Sequence, residues 1–371
     1  MIKIDLKDSW DKAYAAAERR IPERTERRLK AILHDDVPTF MELPYIQTEK
    51  QLKNTDVAFL GIPWEGLRYL DPWTILPATA SPAFANSIYY RTGADQAPDH
   101  IRKYSIFYSY NHGWGYFPEL GKDFILFDHI NAGDNGNVEV TVSDPETSLE
   151  RCYNAISRLY EAGTIPLIAG GDHAIPLPAV KALANHTRGN IGIITFDSHF
   201  DLYYDPEFSA ASQWVRLLEL TNVDPANYCS IGIRGLRNQV HEKYVAEELG
   251  LSFFTMAEIE SDGIPAIIER ALSIASKNTD SLYISLDIDV MDPAFCPAQK
   301  YPEPGGLSSR EIITALRKLG RTKLINGFDI CCLGPQYDSP TGISGQLCAR
   351  LFVEVLGTIA WQRRSGYGHP D

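Results

Sequence analysis

The sequence predicts an α/β protein, a three-layer α/β/α sandwich around a mostly parallel sheet. Three observations carry that prediction. Short continuous apolar runs alternate with amphipathic helical segments along most of the chain, the pattern of strands covered on both faces. Several of these runs end in polar, chemistry-bearing residues, as strands do at their carboxyl ends in sheets of this kind. Finally, 371 residues with 44% hydrophobic and 22% charged content supply a sizeable core and argue against wholesale disorder.

Taken in order, residues 1–50 are charged and helix-prone ("DKAYAAAERRIPERTERRLKAILHDD"). They predict an N-terminal helical arm, either packed on the body or a neighbouring subunit or simply solvated. Residues 51–371 predict a single domain. "TDVAFLGIPW" reads as a buried strand running into a loop. The apolar stretch that follows, residues 65–90 around Trp73, is long for a compact domain and predicts an active-site wall, a lid or an oligomer contact. Strand–helix pairs then succeed one another: "TIPLIAGGDH" with "PLPAVKALANH", "IGIITFDSHFD" with the segment around Trp214, and "YCSIGIRG" with "QVHEKYVAEELG". "SLYISLDIDVMD" with "SSREIITALRKLG" and "LINGFDICCLG" with "ISGQLCARLFVEVLGTIAW" complete the series.

A net charge of −13 argues against nucleic acid or an anionic membrane as the main partner and suits a cationic substrate or metal ions. The six cysteines are scattered without a CxxC pair, as expected of reduced, buried thiols. The first twenty residues lack an apolar core of signal-peptide type, and no uninterrupted apolar run approaches the ~20 residues of a membrane span. The expectation is a cytoplasmic protein.

The chemistry gathers at three strand ends. Asp172 and His173 follow "IPLIAGG"; Asp197, His199 and Asp201 follow "IGIITF"; Asp287 and Asp289 follow "SLYISL". Alternate positions of an extended strand share a face, so Asp197, His199 and Asp201 are expected to converge. Crowded, desolvated carboxylates need positive charge between them, and two divalent cations would neutralise four. Oxygen ligands with some imidazole suit Mn²⁺ or Ni²⁺, and no cysteine joins the set.

These motifs resemble those of the ureohydrolases, which include arginase, agmatinase, guanidinobutyrase, formiminoglutamase and the guanidine and metformin hydrolases. Gly170-Gly171-Asp172-His173, Asp197-Ser198-His199-Phe200-Asp201 and Ser285-Leu286-Asp287-Ile288-Asp289-Val290-Met291-Asp292-Pro293 carry the resemblance, with "GADQAPDHIR", "SIGIRG" and "PEPGGLSSRE" in support. The resemblance implies an arginase-like fold and a binuclear site. One metal would take His173, Asp197, Asp201 and Asp287, the other His199, Asp289 and the shared Asp197 and Asp287. A metal-bridging hydroxide would attack the guanidino carbon to release urea. It also implies a homo-oligomer, trimer or hexamer, or assembly with a paralogue. Asp172 and Asp292 are candidates for organising the ligand loops, with a purely structural role equally open.

The departures from the family pattern lie around the substrate. "DICCLGPQYD" places Cys332 where a guanidinium-binding glutamate is expected, so a charge-assisted pair is lost. "AQKY" at 298–301 replaces Gly-Thr-Gly-Thr, and Ser212, Gln213 and Trp214 stand where a histidine is expected. Trp214, Tyr301 and Cys332 are the pocket candidates. They favour a small guanidino compound without a long charged tail, such as guanidine or metformin, over arginine or agmatine. Two alternatives differ in kind: hydrolysis of a formimino group, and a catalytically silent subunit supporting an active paralogue. Cys332 as a nucleophile is disfavoured, because no base stands beside it in sequence.

Overall fold

The computed structural model describes Lys7, Asp11, Lys12, Ala15 and residues 38–66, 91–109, 115–141, 143–203 and 210–366. Most of the expected N-terminal arm, and the loop with Trp73, lie outside the described residues. The portion from residue 38 to 50 packs on the body: Phe40, Met41, Leu43 and Ile46 are core residues, and the Phe40 ring stacks on Phe59 at 4.4 Å.

Eight strands form one sheet: β1 (Val57–Ile62), β2 (Ala132–Asn137), β3 (Ile165–Gly170), β4 (Asn190–Phe196), β5 (Tyr228–Ile233), β6 (Ser252–Thr255), β7 (Thr279–Asp287) and β8 (Gly327–Cys331). Their order is β2-β1-β3-β8-β7-β4-β5-β6, with every pairing parallel. Except at the edge strands β2 and β6 these are almost wholly buried, because helices cover both faces.

The helices are α1 (Glu49–Leu52), α2 (Ala97–Ser105), α3 (Pro145–Glu161), α4 (Pro176–His186), α5 (Gln213–Leu217), α6 (Val240–Leu249), α7 (Met256–Asp262), α8 (Ile264–Ala275), α9 (Ser309–Thr322) and α10 (Ile343–Arg364). One layer chains α3, α4 and α5; the other chains α2, α10, α9, α8 and α7. Local sequence sets the starts. In "SSRE", Ser308 and Glu311 form a reciprocal capping box that satisfies two orphan amides of α9. Helix α10 is long and apolar enough to cross a membrane, yet 83% of its most apolar window is buried inside the fold. It is the core helix: Leu351, Phe352, Val355 and Leu356 are inaccessible, each contributing about 1.5–3 kcal/mol by burial.

Strands β2 and β6 and helices α3, α7 and α8 have no counterpart in the motif-led reading above. Strand β2, "AGDNGN", has no apolar alternation and is held as an edge by pairing to β1.

Candidate metal centre

The strand order determines what meets at the carboxyl edge. β3, β8, β7 and β4 are consecutive in the sheet, so the residues following them converge: His173, Cys332, Asp287 with Asp289, and Asp197 to Asp201.

The loop after β4 corrects one expectation. The strand ends at Phe196, so Asp197, His199 and Asp201 do not alternate along an extended strand. The chain turns instead. The His199 amide donates to Asp197 Oδ1 at 2.7 Å, the Ser198 amide donates to Asp289 Oδ1 at 3.1 Å, and Asp201 has φ +51°. That left-handed conformation is uncommon for a side chain with a Cβ, and aspartate is among the residues that tolerate it. The turn still delivers the three side chains, and splits them between two groups.

His173, Asp197 and Asp201 form one cluster able to hold a metal ion; Asp197, His199 and Asp289 form the second. Asp197 belongs to both. His173 Nδ1 lies 2.7 Å from Asp201 Oδ2, 3.0 Å from Asp197 Oδ2 and 3.5 Å from Asp287 Oδ2. His199 Nδ1 lies 3.0 Å from Asp289 Oδ2 and 3.5 Å from Asp197 Oδ1. Asp287 adjoins the first cluster, and its Oδ1 accepts from the Asp289 amide at 2.9 Å.

The electrostatics are those of a site that wants cations. Burial, then the neighbouring Asp201 and Asp289, raise the Asp197 carboxyl; burial with Asp289 and Asp197 raises Asp287 well above its ordinary range. Asp289 goes the other way, to about 2: burial opposes, but His199 and Ser198 outweigh it. Burial pulls both imidazoles down, and the surrounding carboxylates overcome it and hold both well above 6.5. Asp197 Oδ2 and Asp289 Oδ2 are buried and accept no well-formed hydrogen bond, though each lies 3.0 Å from an imidazole nitrogen. Such oxygens are costly to bury without a partner, and the oxygen-rich donor set with one imidazole per cluster fits two hard or borderline divalent ions.

Residues behind the ligands set their protonation. His173 Nε2 lies 3.1 Å from Ser285 Oγ, which donates to Asp329 Oδ1 at 2.8 Å, and Tyr283 Oη donates to Asp329 Oδ2 at 2.5 Å. Ser285 therefore accepts from Nε2–H, which leaves Nδ1 facing the carboxylate cluster as the nitrogen that would give up its proton to a metal. Register places this relay: Ser285 pairs with Thr195 on one side and with Asp329 on the other, one layer beneath the ligands. The first-listed motifs did not reveal Asp329; the clue was a buried-strand sequence, "GFDIC", with a carboxylate in its middle. Replacing Asp329 by Asn is expected to weaken metal affinity about 10–100-fold, as measured by competition with a chelator. Unchanged affinity would show that the relay does not orient His173.

The remaining candidates are placed as follows. Gln213 donates to Asp201 Oδ2 at 2.7 Å. Trp214 is fully buried, edge-on to His173 at 5.6 Å and to Tyr228 at 5.5 Å, so it backs the imidazole instead of lining a pocket. Tyr301 lies edge-on to His199 at 6.1 Å. Cys332 is buried at φ +65° with its thiol bonded to Asp287. Asp172 caps the His173 loop, accepting from the Gly66 and Ala174 amides at 2.9 and 3.0 Å, and Asp292 accepts from Ala294 and Gly305 at 2.8 and 2.7 Å. Both organise loops. Sequence reasoning missed the buried Lys300–Glu65 pair at 2.7 Å; Glu65 Oε2 also accepts from the Gly93 and Ala94 amides.

A three-layer parallel sandwich carrying paired acid–imidazole clusters at its central strand ends has the site of a protein that binds two divalent ions. Residues 56–357 match the model of the arginase family, and the chain belongs to that family. It is 29% identical over 332 residues to proclavaminate amidinohydrolase of Streptomyces clavuligerus, covering 89% of this chain and 95% of that one. It is 28% identical over 329 residues to guanidinopropionase of Pseudomonas aeruginosa, covering 87% and 92%. The solved proclavaminate amidinohydrolase superposes with a TM-score of 0.71 over 88% of this chain and 97% of that one. The chain is thus a hydrolase acting on amidino groups, with the arginase-like fold.

Proposed function

We propose that this chain hydrolyses a small guanidino compound without a cationic tail: guanidine or an alkylated guanidine to urea and ammonia or an amine, or a biguanide such as metformin to guanylurea and an amine. The observation that carries this reading is Cys332. A buried thiol, not a carboxylate, follows β8, the strand between β3 and β7, and lies beside Asp287. A neutral group there offers no bidentate anchor for a guanidinium, and Tyr301, edge-on to His199, is an aromatic surface beside the ligands.

Two divalent ions, Mn²⁺ or Ni²⁺, would be held by His173, Asp197 and Asp201 and by Asp197, His199 and Asp289, with Asp287 beside both. When bound, such ions lower the pKa of water toward neutrality and so supply a nucleophile at pH 7. The protein's own residues do the rest. The aspartates hold the ions, Ser285 and Asp329 hold the His173 tautomer, and Trp214 keeps solvent from behind it. A homo-oligomer, or an assembly with a paralogue, is part of this reading.

Hydrolysis by the purified chain, loaded with Mn²⁺ or Ni²⁺, tests it: urea is measured with guanidine, agmatine, guanidinobutyrate and arginine, dimethylamine with metformin, and formamide with formimidoylglutamate. Guanidine or metformin is expected to be turned over fastest. Agmatine or arginine as the best substrate would overturn the reading. Burial, Asp287 and the adjacent Cys331 keep the Cys332 thiol protonated, against a smaller opposing pull from Lys300, so Cys332→Ser is expected to retain turnover within about threefold. A loss near 10³-fold would make Cys332 a nucleophile.

A further inference from the structure

The described ligands are not equally accessible. His199 is 18% exposed and Asp201 15%, whereas His173 is 2% and Asp197 1%. Among the described residues the site is therefore reached at His199 and Asp201, and Tyr301 lies edge-on to the His199 ring. The Arg237 guanidinium lies 5.1 Å from the centre of the Tyr301 ring, and Arg237 itself is exposed. The sequence of contacts runs outward: ligand imidazole, aromatic ring, cation.

The turn bearing Arg237 is held firmly to the ligand loop. Asn238 donates to the Ser198 carbonyl at 2.9 Å and to the Arg234 carbonyl, and its Oδ1 accepts from the Phe200 amide at 3.1 Å. Arg234 commits its guanidinium to backbone carbonyls on both sides of the site, including Asp289, Val290, Met291 and Glu303. The carboxylate nearest this turn, Glu303, sits against Gly235 and interacts with Arg234. Arg237 is thus an exposed cation on a turn tied to the ligand loop, with its guanidinium against the Tyr301 ring.

Resting on the reading above, we infer that Arg237 and Tyr301 select substrates by the charge of the tail: a neutral or carboxylate tail is admitted and an ammonium tail is rejected. A four-carbon tail reaches roughly 5–6 Å from its guanidino group. Its terminal charge then arrives beside Tyr301 and Arg237, where a fixed positive charge at such a distance changes affinity by about tenfold in a partly solvated setting.

The test compares agmatine with guanidinobutyrate, whose tails are similar in length and opposite in charge, in the metal-loaded wild type, R237Q and R237E. Binding of each compound is measured by calorimetry, and kcat/KM wherever turnover occurs, with tail-less guanidine as the reference in each variant. R237E is expected to shift the agmatine-to-guanidinobutyrate ratio toward agmatine by at least about tenfold, through KM, with R237Q intermediate. The shift should shrink at high salt. A merely structural role would weaken all three compounds together. A ratio that stays within about twofold across the variants overturns the inference. Wild-type preference for agmatine over guanidine would instead defeat the proposed substrate class, a result the variant ratio does not affect.

Discussion

Asp197→Asn is expected to abolish urea release, by about 10³-fold or more, and to remove both metal equivalents from the protein. Asp197 is common to the two ligand clusters: Oδ2 faces His173 and Oδ1 faces His199. An amide oxygen carries no charge, and the amide nitrogen would present hydrogens to one of the two ion positions. The remaining ligands would then hold two divalent ions with less negative charge and a blocked coordination position. A 10³-fold loss corresponds to roughly 4 kcal/mol of transition-state stabilisation, an ordinary figure for removing an electrostatic element of this kind. Asp201→Asn provides the contrast, because Asp201 joins only the first cluster and its loss is expected to spare the second ion. Metal analysis of the two variants decides the matter. Retention of both equivalents by D197N would remove Asp197 from its shared position.

Metal binding at pH 7 is expected to release about two protons per chain. In the metal-free protein, burial disfavours the charged imidazoles, but Asp197 and Asp201 around His173 and Asp289 and Asp197 around His199 more than compensate. Both histidines therefore remain protonated well above their ordinary pH range. An ion must displace those protons from Nδ1. Calorimetry in buffers of different ionisation enthalpy reads the number directly, and a value near zero would mean that the imidazoles are neutral before the metal arrives. The same shifts have a stability consequence. Because the folded-state values are raised, the histidines' contribution to metal-free stability is complete below about pH 6.5 and is lost as pH rises through the raised values. The metal-free protein should lose thermal stability on that alkaline side, where the loaded protein, whose ligands must be deprotonated, should gain it.

Much of this site was readable in the sequence because its residues follow continuous apolar strands. "IPLIAGG", "IGIITF" and "SLYISL" can be little other than buried strands, and the imidazoles and carboxylates at their ends mark one edge of the sheet. The local backbone was harder to read. Alternation at 197, 199 and 201 looked like a strand, but the ladder stops at Phe196 and a turn with a left-handed Asp201 brings the side chains in. Trp214 looked like a pocket residue because its neighbourhood departs from the family pattern. It proved to be packed behind His173, since an aromatic on a short helix in one layer can reach beneath the ligands without meeting solvent. Asp329, Lys300 and Glu65 act through partners far away in the chain, Asp329 meeting Ser285 across 44 residues and Glu65 meeting Gly93 across 28, and no spacing rule connects them.

The position of β8 between β3 and β7 has one more consequence. The residue that follows β8, Cys332, lies beside Asp287 yet belongs to neither ligand cluster. Position 332 can therefore change while the ions and their protonation machinery are left intact. Substitution there would then be read in turnover and not in metal content, which separates recognition of the substrate from the chemical step.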